Sequence, residues 1–310
     1  RENSIERRFW HVTLALLLFG CSPAWFFHIC QGQIYVFYTF LMALIFWLFQ
    51  VKRFELSGFF SGFSLWLRPP LILFGLPFLA FSSYRKRFTK GFLIGVLSGA
   101  ALFLGGTKLE HWTAYQSSMD LHAKVELGEG TWLENTAAIE QPLYLEGEPN
   151  NYKRPLPMPV KVLVEPFSIP SFITEAFGVR ATLPVLAAGF VCCLLLGFLI
   201  MSRNPGSFKN LWGNPINFAV LGVLLYMLSE FFLPARRFPY NNIQWMILLL
   251  LLLQALPTFK SIVFYLVVLG AALQTGAFLA IQLPANPLST LLLFTAGMIY
   301  LVQQRRRNTS

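Results

Sequence analysis

Charge is scarce in this chain. Only 12% of its 310 residues are Asp, Glu, Lys or Arg, where a soluble domain carries about a quarter. A water-exposed globule of this length is therefore excluded. There is one aspartate, Asp120, so paired-aspartate chemistry is not available. Cysteine is limited to Cys21, Cys30, Cys192 and Cys193, all within or beside apolar runs. Such cysteines pack as small apolar groups, which argues against a disulfide framework. The four histidines show no ligand spacing with one another or with cysteine. No metal or other cofactor is expected, although His111, Asp120 and His122 form the one set that could hold a divalent ion. No glycine-rich loop follows a strand pattern, so a nucleotide-phosphate cradle is missing. There is no internal repeat either, which withholds support from inverted-repeat transporters.

What the chain has in abundance is apolar sequence: 55% hydrophobic residues, 32 Phe and a mean hydropathy of +0.57. A helix crossing the hydrocarbon core needs roughly 20 mostly apolar residues, and fewer when it is broken against protein. On that basis the sequence predicts an all-α polytopic membrane protein, a single membrane domain of about ten transmembrane helices. They fall at 9–27, 34–50, 56–68, 69–82, 91–105, 182–201, 216–233, 243–258, 261–283 and 288–303. The break between 56–68 and 69–82 is forced by Pro69 and Pro70. Proline disfavours helix at the residue before it and removes a backbone donor.

The charges that do occur are sorted. Arg1, Arg7, Arg8, Lys52, Arg53, Arg85, Lys86, Arg87, Lys90, Arg203, Lys209, Lys260 and Arg305 to Arg307 fall on one side of such a threading. Short cytoplasmic loops collect Lys and Arg, so that side is read as cytoplasmic, with both termini on it and the protein in the plasma (inner) membrane. The opposite, outer side receives the one long loop, 106–181, which holds ten of the fourteen acidic residues. The net charge of +10 thus reflects topology and not a nucleic-acid footprint. Within this loop, Leu109, Trp112, Met119 and Ala123 recur at helical spacing, which predicts an interfacial helix near 107–124. Trp112 and Tyr115 suit either an aromatic belt or a platform for a sugar. The stretch 141–170 is rich in proline and reads as a covering loop.

Three cations break the sorting: Arg68 in SLWLRPPLILF, and Arg236 with Arg237 in FLPARRFPYNN. All three fall at the outer face. An arginine at membrane depth costs at least a few kcal/mol unless it meets protein, water or an anion, so each is a candidate functional residue. The alternatives are that Arg68 snorkels to outer headgroups and that the pair is an ordinary loop charge. Arginine offers phosphate a planar fork of donors and a charge that is not lost. The polar groups Gln33, Tyr240, Asn241 and Asn242 lie at the same depth and are expected to line one outer-facing cavity with the arginines. Glu230 is expected to pair with Arg236 or Arg237. Asp120 and Glu110 are weak candidates for a catalytic acid or base, with a solvated helix face as the plainer reading.

These residues carry a resemblance. The stretch Gly32 to Phe81, with Gly32-Gln33 before a span, a basic loop, the small residues Ser57-Gly58 and Ser61-Gly62, and then Arg68-Pro69, resembles the core of membrane glycosyltransferase family 87, a branch of the GT-C mannosyltransferase superfamily. Leu233 to Met246 resembles that family's late polar segment. The family more often has Lys before the Pro, and its usual Ser-Pro and Trp-Asp-His pattern is missing here. The resemblance implies a GT-C-like fold and transfer of a mannose-like sugar from a polyprenyl-phosphate donor to a lipid or glycan acceptor at the outer face. Arg68, Arg236 and Arg237 would bind the donor phosphate. Gln33, Tyr240, Asn241, Asn242, Trp112 and Tyr115 would bind substrate. The family's catalytic Asp or Glu sits in a first outer loop, whereas this chain opens at what matches the family's third span. The expectation is that two upstream spans bearing that acid are absent from this chain, or that the chain is a degenerate relative. A non-catalytic membrane subunit of a larger complex and a lipid-linked-glycan transporter or ligase are the competing functions. Under the transferase reading, Arg68→Ala is expected to abolish transfer and leave the fold intact.

Overall fold

A computed structural model describes residues 34–106, 182–202, 214–233, 239–255, 261–276 and 285–307, with a few isolated positions between them. Apart from Thr13, Ser168 and Ile169, the expected span 9–27, Gln33, Trp112, Tyr115, Asp120, Arg236, Arg237 and the proline-rich stretch 141–170 lie outside the described residues. Among those described, 91% are helical and none is in a strand, which agrees with the predicted all-α class.

The elements follow the apolar runs closely: α1 (Tyr35–Gln50), α2 (Phe54–Leu67), a 3-10 turn (Pro69–Leu71), α3 (Ile72–Phe81), α4 (Arg85–Gly105), α5 (Leu183–Ser202), α6 (Pro215–Phe232), a 3-10 helix (Pro239–Trp245), α7 (Met246–Ala255), α8 (Ile262–Gly276) and α9 (Ala285–Arg307). Among the described residues three stretches are long and apolar enough to cross a membrane: Arg85–Gly105, Pro215–Phe232 and Pro287–Gln304. Others, among them Tyr35–Gln50 and Ile262–Gln274, are apolar but shorter. Of the interfacial helix expected near 107–124, Glu110, Thr113, Ala114 and Ser117 are helical and exposed, and Ser117 Oγ donates to the Thr113 carbonyl at 2.9 Å.

The helices shuttle between two ends of one bundle. At one end Phe49, Phe54, Phe78, Phe88 and Phe218 form an aromatic cluster, with Phe49 to Phe78 at 4.8 Å and Phe78 to Phe218 at 5.6 Å between ring centroids. At the other end Tyr35 and Glu230 meet Arg68. Hence α1 and α3 run one way, and α2, α4 and α6 the other. The buried bond from Tyr300 Oη to Asn217 Oδ1, at 2.9 Å, brings the late part of α9 to the aromatic end.

Close approach of α2 and α4 depends on glycine. A Cβ at Gly58 would strike the Phe88 carbonyl, one at Gly62 the Phe92 carbonyl, and one at Gly91 or Gly95 the carbonyl of Glu55 or Phe59. Small residues at four-residue spacing let two helix backbones touch, which is how apolar helices associate where no hydrophobic effect separates them from lipid. Trp66 Nε1 reinforces the pair by donating to the Val96 carbonyl at 2.9 Å. Gly222 gives α6 the same intimacy with Phe74 of α3.

Candidate functional site

Arg68 ends α2. Its φ of −158° and ψ of 108° are extended, the conformation that the ring of a following proline imposes. The amide of Arg68 still donates to the Ser64 carbonyl at 3.0 Å, and its carbonyl accepts from Leu71 N at 2.9 Å. The double proline therefore swings the side chain off the helix axis without abandoning the backbone groups.

The guanidinium turns into the bundle. Its Nε and Nη2 donate to Glu230 Oε1 at 3.1 and 2.7 Å, and Nη2 also donates to Oε2 at 2.7 Å. Glu230 comes from the last turn of α6, 162 residues further on. Its side chain is 1% exposed and that of Arg68 19%. Two rings of α1 wall the pair: the guanidinium carbon is 5.1 Å from the Tyr35 ring centroid and 5.6 Å from that of Tyr38. The rings stand edge to face at 5.7 Å. Tyr35 and Tyr38 are three residues apart on α1, which puts both on one face of that helix.

This geometry bears on two expectations. Glu230 was expected to pair with Arg236 or Arg237, which lie outside the described residues; its carboxylate holds Arg68. Arg68 was expected to point inward at a donor phosphate, with snorkelling as the alternative, and it points inward, where a carboxylate engages it. A charge this enclosed needs a partner closer than the headgroup region, and Glu230 is that partner.

A second polar group lies at the same end. The 3-10 helix Pro239–Trp245 is tied to α1 by Thr39 Oγ1, which donates to the Ile243 carbonyl at 3.2 Å. Gln244 is fully buried, and its Oε1 accepts from Tyr226 Oη at 2.6 Å. Among the described residues the Gln244 Nε2 has no hydrogen-bond partner, and neither amide atom of buried Gln274 has one. Asn242 is buried, and its Oδ1 accepts from Trp245 Nε1 at 3.2 Å and from Thr290 Oγ1 at 3.5 Å. Tyr240 and Asn241 contribute backbone to this 3-10 helix, and their side chains are outside the described residues. Glu110 is exposed. The structure thus brings Arg68 and the 242–244 stretch to one end of the bundle.

Four functional candidates were not legible as such: Glu230 as the partner of Arg68, Tyr35 and Tyr38 as its aromatic walls, and Gln244. A carboxylate late in an apolar run was the signal for Glu230, but a single sequence does not reveal which cation it meets. Among the described residues no group of three or more His, Cys, Asp or Glu could hold a metal ion. No family model, no curated protein and no solved structure matches this chain.

Proposed function

We propose that the chain is a multi-span membrane glycosyltransferase, with about ten crossings, that passes a mannose-like sugar from a polyprenyl-phosphate donor to a lipid or glycan acceptor at the outer face. One observation carries the proposal: a guanidinium inside an apolar bundle, flanked by two tyrosine rings, whose donors are met by a carboxylate. A phosphate presents the same pair of oxygens in the same plane and can take the place of Glu230 on Arg68. The anomeric carbon to phosphate-oxygen bond then breaks with its electron pair going to the phosphate. Arg68 stabilises that charge in a site of low polarity. The acceptor hydroxyl oxygen bonds the anomeric carbon, and its proton passes to a carboxylate, for which Glu230, released from Arg68, joins Glu110 and Asp120 as a candidate. Arg236 and Arg237 are proposed as further phosphate ligands, and Gln33, Trp112, Tyr115, Tyr240, Asn241 and Asn242 as the sugar and acceptor contacts. Both termini are placed in the cytoplasm and the 106–181 segment outside.

The completeness of the Arg68 to Glu230 pairing favours a second reading, a non-catalytic membrane subunit in which the pair clamps α2 to α6. A transfer assay separates the two. The intact gene product, reconstituted with polyprenyl-phosphate mannose and a membrane-lipid acceptor fraction, should transfer sugar, and Arg68→Lys should keep part of that activity, since the charge survives and only the fork is lost. No transfer by the folded wild-type protein, with any polyprenyl-phosphate sugar, would leave the subunit reading.

A further inference from the structure

At the aromatic end of the bundle two turns that are remote in sequence merge into one cationic surface. The ring of Phe54 stacks on that of Tyr84 at 4.0 Å and 11° between planes. Phe54 directly follows Arg53, and Tyr84 directly precedes Arg85, so this stack sets the two turns side by side. Lys52, Arg53, Arg85, Lys86, Arg87 and Lys90 are all exposed there. Among the described residues their one acidic neighbour is Glu55, 3.4 Å from Lys90 Nζ, in a pair exposed on both sides.

Two features oppose this arrangement unless an anion is present. Arg85, Lys86 and Arg87 occupy the first turn of α4, which has no acidic residue and no side-chain cap, so three cations sit at the positive end of a helix dipole. Lys52 is the C′ residue of α1: its amide donates to the Phe49 carbonyl and that of Arg53 to the Leu48 carbonyl, and its φ is 63°. That left-handed position is normally glycine. Lysine there carries backbone strain in exchange for a charge. Directly beside the cations, Val51, Leu56, Phe81 and Tyr84 are exposed apolar side chains, the surface an acyl chain would cover below a headgroup.

We propose that this surface binds the phosphate headgroup of anionic phospholipid, with Lys52 and Arg53 approaching from one side and Arg85 to Arg87 from the other. The probe is a phosphatidylcholine nanodisc containing one-fifth phosphatidylglycerol, with lipid retained by the full chain counted by native mass spectrometry after detergent extraction. Wild type should retain phosphatidylglycerol over phosphatidylcholine. Lys86→Gln with Arg87→Gln should weaken that preference about thirty-fold, and Lys52→Gly about fivefold, from the usual attraction of one cation near an anionic surface. Lys52→Gly is the decisive variant, because relief of the left-handed strain should raise thermal stability while lipid affinity falls. Arg306→Gln with Arg307→Gln removes equal charge from the end of α9, outside the two turns joined by the Phe54–Tyr84 stack, and should weaken retention by less. Equal loss in that control, no preference in wild type, or displacement of the lipid by inorganic phosphate would overturn the proposal.

Discussion

Removing Glu230 while keeping Arg68 is the most revealing perturbation of the site. Glu230→Ala deletes the acceptor of three hydrogen bonds of 2.7 to 3.1 Å and strands a guanidinium that is only one-fifth exposed. Breaking an enclosed ion pair from one side costs about 3–5 kcal/mol. The rings of Tyr35 and Tyr38 flank the guanidinium with or without Glu230 and so do not offset this, and a loss of about 3 kcal/mol or more is expected. Arg68→Ala should lose at least as much, because a carboxylate 1% exposed is then left without its cation. The expectation that Arg68→Ala leaves the fold intact is therefore replaced: loss of activity in that variant would not by itself implicate Arg68 in chemistry. Arg68→Met combined with Glu230→Leu removes both charges at similar volume and should lie within about 1 kcal/mol of wild type, since apolar replacement of a buried pair is often neutral. The assay is reversible unfolding in mixed micelles, read by tryptophan fluorescence and closed as a double-mutant cycle. Single losses under about 1 kcal/mol, the level of an exposed pair, or strictly additive singles would refute the clamp. The double variant also serves the functional question. Under the transferase proposal it is folded and inactive.

Three further outcomes follow from the packing and the threading. Phe78→Ala should cost about 3–5 kcal/mol, since that ring is fully buried and contacts Phe49, Phe74, Phe88 and Phe218; thermal unfolding in detergent measures it. Gly95→Ala should cost about 1–3 kcal/mol by forcing α2 and α4 apart at the Phe59 carbonyl, whereas Gly105→Ala, whose Cβ meets nothing within 4 Å, should be neutral in the same assay. For sidedness, cysteine introduced near Glu146 should react with an impermeant thiol reagent in sealed cells and cysteine near Asn308 should not, in a background with native cysteines replaced; the reverse pattern would invert the topology.

Much of the local structure was legible before any coordinates. Apolar run length marked the helices, and Pro69-Pro70 marked the break after Arg68, because a proline ring constrains its own residue and the one before it whatever surrounds them. The predicted 56–68 is Phe54–Leu67, and 216–233 is Pro215–Phe232. The Gly91, Gly95 and Gly99 spacing is visible in the sequence as a smooth helix face, yet nothing local says that its partner is α2 and not a lipid. The same holds for the site. That Arg68 needs a partner follows from its charge and depth alone, but the identity of the partner depends on a contact across 162 residues. Proximity along the chain suggested only Arg236 and Arg237 as partners for Glu230, and proximity along the chain does not reveal contacts made once helices fold back on one another. Composition, the helix content, the break and the presence of an expensive buried cation were therefore set by the sequence through short-range sterics and solvation. Which carboxylate neutralises that cation, which rings enclose it, and which two turns share a cationic surface were decided only when α1, α2, α4 and α6 packed, because pairing energies depend on distances that the order of residues does not contain.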